Sequence, residues 1–117
     1  MSVFCTGSCA PNLPIVVTIT GSGNSSNCYA IINGTKYYTE TNNIKVMAGD
    51  TISFETYNNV SSTQSGFVKI NGTQVTSSTT KGYITYDWTV SDGISNITIA
   101  ITYYSSSGSG QIIVTTS

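Results

Sequence analysis

The chain contains no histidine and no arginine, and only four Lys and five Asp or Glu stand among its 117 residues. Without His, neither a Ser-His nor a Cys-His nucleophile pair can be assembled. Without Arg and with four scattered Lys, there is no basic footprint for nucleic acid. No stretch approaches the roughly 18 apolar residues of a membrane helix. Segment 1–14 has neither a basic run nor a continuous apolar run, so as written it does not read as a signal peptide. The expectation from this is a product made and assembled in the cytosol. Helical periodicity is also missing: apolar residues never recur at i, i+3, i+4, i+7 for more than a turn, and the β-branched content opposes helix.

Cysteine is scarce and odd in number: Cys5, Cys9 and Cys28. Cys5 and Cys9 could close a small loop, and Cys28 could tie the N-terminal segment to a first hairpin over about 28–40. The plainer reading is reduced thiols in a cytosolic protein. Three thiols without a His or a fourth Cys make a poor zinc site.

What is abundant is Ser, Thr, Asn, Gly and Tyr. A net charge of −1 makes the surface neutral and polar, and charge this close to zero favours association. Two copies of one phrase punctuate the chain, Tyr29-Ala-Ile-Ile-Asn33-Gly34-Thr35 and Phe67-Val-Lys-Ile-Asn71-Gly72-Thr73. Asn-Gly between β-favouring residues is a strong hairpin signal, because both central positions of a type I′ turn need φ > 0. Residues 1–13, with Gly7, Ser8, Pro11 and Asn12, have no period and read as an arm carrying the apolar Val3, Phe4 and Leu13.

Alternation starts at Pro14. Ile15, Val17 and Ile19 share one face; Ile52 and Phe54 repeat the pattern, as do Val68 and Ile70, then Ile97, Ile99 and Ile101, then Ile112 and Val114. Ile84, Tyr86, Trp88 and Val90 read as the strongest core strand. Turns are expected at Asn42-Asn43, 48–50 and Asp92-Gly93, with loops at 21–27, 58–66, 79–82 and 105–110. The prediction is an all-β domain over 14–117: an immunoglobulin-like sandwich of two antiparallel sheets with about eight to ten short strands.

Around Ile44-Lys-Val-Met-Ala-Gly49-Asp50-Thr-Ile-Ser-Phe54 and Gly66-Phe-Val-Lys-Ile-Asn71-Gly72, the sequence resembles the small immunoglobulin-like modules of tailed-phage virion proteins and bacterial surface proteins. The resemblance covers roughly 14–117 and rests on turn and core motifs, so it speaks to fold more than to function. It implies a binding or structural role on a particle surface, as in decoration, auxiliary capsid or head-fibre proteins. The family it points to offers no catalytic residues to carry over. Expected partners are other structural proteins of the particle, capsid or tail, and copies of the chain itself. The alternative is an adhesion or carbohydrate-binding module on a bacterial cell surface, with glycans as ligands.

Specific chemistry finds little support. Asp50 and Asp92 sit beside Gly or in turns, where backbone preference explains them, and the isolated acids Asp50, Asp87 and Asp92 make no EF-hand-like calcium loop. Paired carboxylates for glycoside hydrolysis lack a supporting constellation. The triplets at Asn24, Asn33, Asn59, Asn71 and Asn96 match the glycan-acceptor pattern, as expected by chance at this Asn, Ser and Thr content. A Lys–Asn isopeptide bond from Lys45 or Lys69 would need Glu55 buried, and alternation puts Glu55 on the solvent face. No cofactor, metal or catalytic residue is therefore assigned. Not all eight Tyr can be core, and Tyr is a favoured contact residue. The expected partner contacts are Val3, Phe4 and Leu13 of the arm, with Tyr103 and Tyr104 beside the Ser-Gly loop.

Overall fold

The computed structural model describes residues 13–59, 66–77, 80–103 and 109–117. Among the described residues every regular element is a strand: β1 (Ile15–Ser22), β2 (Tyr29–Ile32), β3 (Thr35–Tyr37), β4 (Thr39–Val46), β5 (Thr51–Asn58), β6 (Phe67–Ile70), β7 (Thr73–Ser77), β8 (Gly82–Thr89), β9 (Asn96–Tyr103) and β10 (Gly110–Thr116). They form a six-stranded sheet, β4-β1-β9-β10-β6-β7, and a four-stranded sheet, β3-β2-β5-β8. The alternating residues of both sheets meet in one core, in which Phe54 is the largest fully buried side chain, surrounded by Ile19, Ile32, Ile52, Ile97, Ile99, Ile101 and Ile112.

Both Asn-Gly pairs turn as their sequence requires. Asn33 and Gly34 have φ of 52° and 80°, Asn71 and Gly72 have 51° and 84°. The two hairpins, β2–β3 and β6–β7, occupy equivalent places in two equivalent units. In the first unit β1 lies in the large sheet, the hairpin crosses to the small sheet, and β4 returns to pair with β1. In the second unit β5 lies in the small sheet, the hairpin crosses to the large sheet, and β8 returns to pair with β5. The repeated phrase is thus the hairpin of a duplicated four-strand unit whose sheet assignments are exchanged.

Three expectations are corrected. The large sheet is not purely antiparallel: β1 runs parallel to β9, and β10 parallel to β6. The β9–β10 hairpin inserts between the two units with β9 beside β1, and that order makes both joins parallel. Second, Asn42-Asn43 is no turn. Thr39–Val46 is one strand, and between Val17↔Ile44 and Ile19↔Thr41 the register shifts by one residue, with Asn43 at φ 62°. An Asn in the left-handed region serves a bulge as readily as a turn. Third, β8 is an edge strand of the smaller sheet, so Tyr86 and Trp88 face the core but are only half-buried.

All strands end at one of two faces. The tight turns 33–34, 47–50, 71–72 and 92–93 lie at one end with the start of β1 and the C-terminus. There Ser117 exchanges backbone bonds with Asn96. The ends of β1, β5, β7 and β9, each followed in sequence by a stretch rich in Ser, Thr, Asn or Gly, lie at the other end.

Candidate functional site

Burial separates the expected contact residues. Leu13 is 73% exposed at the turn end, directly before β1. Tyr103 closes β9 at the loop end, half-buried against the core, and its hydroxyl accepts a hydrogen bond from Asn27 Nδ2 at 3.3 Å. β1, eight residues long, separates the two positions, about 26 Å at the usual strand rise. Tyr103 therefore acts partly as a packing residue. Val3, Phe4, Tyr104, Cys5 and Cys9 lie outside the described residues. Cys28 carries a free thiol, fully buried, with Thr56 Oγ1 3.5 Å from its sulfur. Burial pushes this thiol up to about 11, and the Thr56 hydrogen bond offsets part of the shift.

The loop end is anchored by a buried polar network that the sequence did not announce. Asn58, 2% exposed, accepts from the Gly66 amide at 3.0 Å and from Ser109 Oγ at 3.4 Å, and donates through Nδ2 to the Thr80 carbonyl at 3.0 Å. The Asn59 amide donates to Ser109 Oγ at 2.8 Å. One buried side chain thus ties Gly66, Thr80 and Ser109 to the end of β5. Buried polar atoms left without partners would cost about 1–3 kcal/mol each, so the network fixes these residues relative to one another. Gly110 is required beside it, because a Cβ there would overlap Thr56 Oγ1 and Cys28 Sγ.

The outer face of the four-stranded sheet carries an aromatic group. Tyr29 pairs with Glu55, and Glu55 with Thr85, across β2, β5 and β8; one step toward the loop end, Tyr57 pairs with Tyr83. The Tyr57 and Tyr83 rings meet edge-to-face, 5.2 Å between centroids at 72°, and Tyr83 is 59% exposed. Lys36 lies over the Tyr29 ring, its Nζ 4.2 Å from the centroid, and donates to the Ser25 carbonyl at 3.2 Å. The Tyr29 hydroxyl is pushed up to about 12, by burial first, then by the hydrogen bond and charge of Glu55, then by Tyr83. Alternation placed Glu55 and Tyr57 on one face; that β8 would set Tyr83 against Tyr57 depended on a strand pairing that no local signal encodes.

This face offers ring edges and hydroxyls on a flat surface, which suits a protein surface or a sugar ring. Glu55 and Asp87 share the face, one strand and one pairing step apart. Glu55 is half-buried and Asp87 exposed. Asp50 Oδ2 accepts from the Met47 amide at 2.9 Å and holds the turn before β5, as a turn-forming Asp should. Among the described residues no group of three His, Cys, Asp or Glu could hold a metal ion. A shallow open depression lies elsewhere, at the β1–β4 edge, lined by Gly21, Ser22, Thr39 and Glu40. The chain matches no protein-family model, no curated protein and no solved structure.

Proposed function

We propose that the chain is a non-enzymatic structural protein: an immunoglobulin-like module that decorates a phage virion or comparable shell, assembled in the host cytoplasm. It contacts the capsid or tail proteins through its 1–13 arm or a sheet edge. The observation that carries this reading is Leu13. In a fold that buries most of its large aliphatic side chains, Leu13 stands 73% exposed where the arm joins β1. A single exposed Leu is ordinary on a protein surface; with Val3 and Phe4 in the same stretch of sequence, it supplies the apolar side chains that an arm contact would use. Deleting residues 2–13 should abolish cosedimentation with particles while leaving the β-sheet circular dichroism and melting cooperativity unchanged. Undiminished cosedimentation of the truncated chain would remove the arm from the mechanism, and failure of the intact chain to sediment with particles would end the decoration reading.

A second reading, a carbohydrate-binding or adhesion module of a bacterial surface protein, is favoured by the Tyr57–Tyr83 pair, of which Tyr83 is exposed. It requires glycan binding that Tyr83→Ala eliminates. A glycan array with no hit for the intact chain would dismiss it.

A further inference from the structure

A two-sheet fold has four edge strands, and an unpaired edge is a template for another chain unless something blunts it. Three edges here are blunted. β3 is three residues long. β4 is broken by register shifts against β1, and β7 by one against β6. β8 differs. It runs eight residues, pairs with β5 without a register break from Gly82 to Thr89, and contains no Pro. Among the described residues no other strand pairs with it.

The hydrogen-bonding phase of β8 follows from one bond. The Val90 amide donates to the Asp50 carbonyl at 2.8 Å, so Val90 belongs to the set directed at β5. Alternation along an antiparallel ladder then turns Trp88, Tyr86 and Ile84 toward β5 and leaves the backbone groups of Tyr83, Thr85, Asp87 and Thr89 pointing off the edge. Those same residues carry their side chains on the outer, Tyr-bearing face.

We infer that β8 is the interface of a two-fold homodimer, in which it pairs antiparallel with β8 of a second copy about an axis at Ile84. Charge selects both the occupant and the register. The chain has four Lys and five acids in all, and one of each, Lys81 and Asp87, stand three residues either side of Ile84, both exposed. An axis there sets Tyr83 opposite Thr85 twice over, and brings Lys81, in the bend just before β8, toward Asp87 of the second copy twice over. Aromatic/β-branched pairs directly across a ladder, and opposite charges at its ends, both favour pairing. Moving the axis to Thr85 would set Asp87 opposite Tyr83 and leave Lys81 opposite Thr89, with neither charge matched. The two small sheets become one continuous eight-stranded sheet whose outer face brings two Tyr57–Tyr83 pairs together. This pairing is a property of the free chain and stands whether or not the arm binds a particle.

The test is analytical ultracentrifugation of the purified full chain across a dilution series, with circular dichroism of each variant. A monomer–dimer equilibrium is expected. Thr85→Pro removes an amide that faces off the edge and leaves the β5 ladder whole. It should raise the dimer dissociation constant about tenfold or more, with the β-sheet spectrum retained. Lys81→Glu and Asp87→Lys should each weaken the dimer, and the double reversal Lys81→Glu/Asp87→Lys should restore it, which keeps the test decisive even if Thr85→Pro misfolds. Deleting residues 2–13 should leave the dimer intact. A chain that stays monomeric at high concentration, an open-ended series of larger species, or a dimer indifferent to the charge reversals would overturn the proposal.

Discussion

The buried thiol of Cys28 makes stability fall with rising pH over a defined window. Its folded pKa is about 11, against 9.0 for an unburied thiol. The folded state therefore keeps its proton where the unfolded chain has lost it, so stabilisation is complete below pH 9 and is lost as pH climbs from 9 through 11. At pH 10 the unfolded state is favoured by about 1.4 kcal/mol relative to neutral pH, and well above pH 11 by about 3 kcal/mol, since each unit corresponds to about 1.4 kcal/mol. Urea unfolding at pH 7.5, 9, 10 and 10.5 would read this as a midpoint loss of roughly 0.5–1.4 M at pH 10, for slopes of about 1–3 kcal/mol/M. Tyr29 loses stability in the same direction at higher pH, between its ordinary value near 10 and about 12, so the comparison is with Cys28→Ala at each pH. That variant starts less stable because of the small cavity it leaves, and should decline less steeply between pH 9 and 10.5. Parallel declines for the two proteins would refute the assignment. A companion measurement is thiol alkylation mapped by mass spectrometry, in which Cys28 should stay unmodified in the native state and react once urea is added.

Further outcomes are expected at the loop-end network and the turns. Gly110→Ala should destabilise by about 2 kcal/mol or more, because its Cβ would force Thr56 and Cys28 aside; urea unfolding reads this directly. Asn58→Ala deprives the Gly66 amide of its side-chain acceptor. It should cost about 2–4 kcal/mol in thermal unfolding, and hydrogen exchange should accelerate at Gly66 before it does in β9. The two Asn-Gly turns should respond unequally to Ala at the Asn. Both lose an Asn at positive φ, about 1 kcal/mol. Asn71 also accepts from the Thr116 amide at 2.9 Å and donates to Thr116 Oγ1 at 3.0 Å, whereas Asn33 makes one 3.2 Å bond to the Lys45 carbonyl. Asn71→Ala should therefore cost about 1 kcal/mol more than Asn33→Ala in paired urea titrations.

The strands were legible because alternation is a local property. Ile15-Val17-Ile19 and Ile97-Ile99-Ile101 each reveal one buried face without reference to any neighbour. Which strands lie side by side is not local. Period two is the same in parallel and antiparallel ladders, so β1 against β9 left no trace in either segment. The same blindness made Trp88 look like a central core residue, because its alternation matches that of a central strand, while its place at an edge follows from β8 pairing with β5 on one side only among the described residues. Asn42-Asn43 misled for a different reason: a left-handed Asn ends one strand and merely bends another. The aromatic face was half visible. Not all eight Tyr could be core, but the meeting of Tyr57 with Tyr83 required the β5–β8 register. Asn58 and Ser109 stood in polar stretches that looked like ordinary loop, and nothing local marks a loop Asn as buried.

The strand order has a consequence for synthesis. The two strands at the middle of the large sheet, β9 and β10, come after the other eight described strands in sequence. Until they emerge, the β1–β4 pair and the β6–β7 hairpin have no hydrogen-bonded connection to each other, and each shows the edge that the final hairpin will fill. Their joining depends on contacts between residues about 80 positions apart, such as Val17 with Ile97, the kind of long-range closure that slows folding. Before residues 96–116 are made, the large sheet is thus two halves with no hydrogen-bonded join. A stop codon within 96–116 removes the strands that connect them.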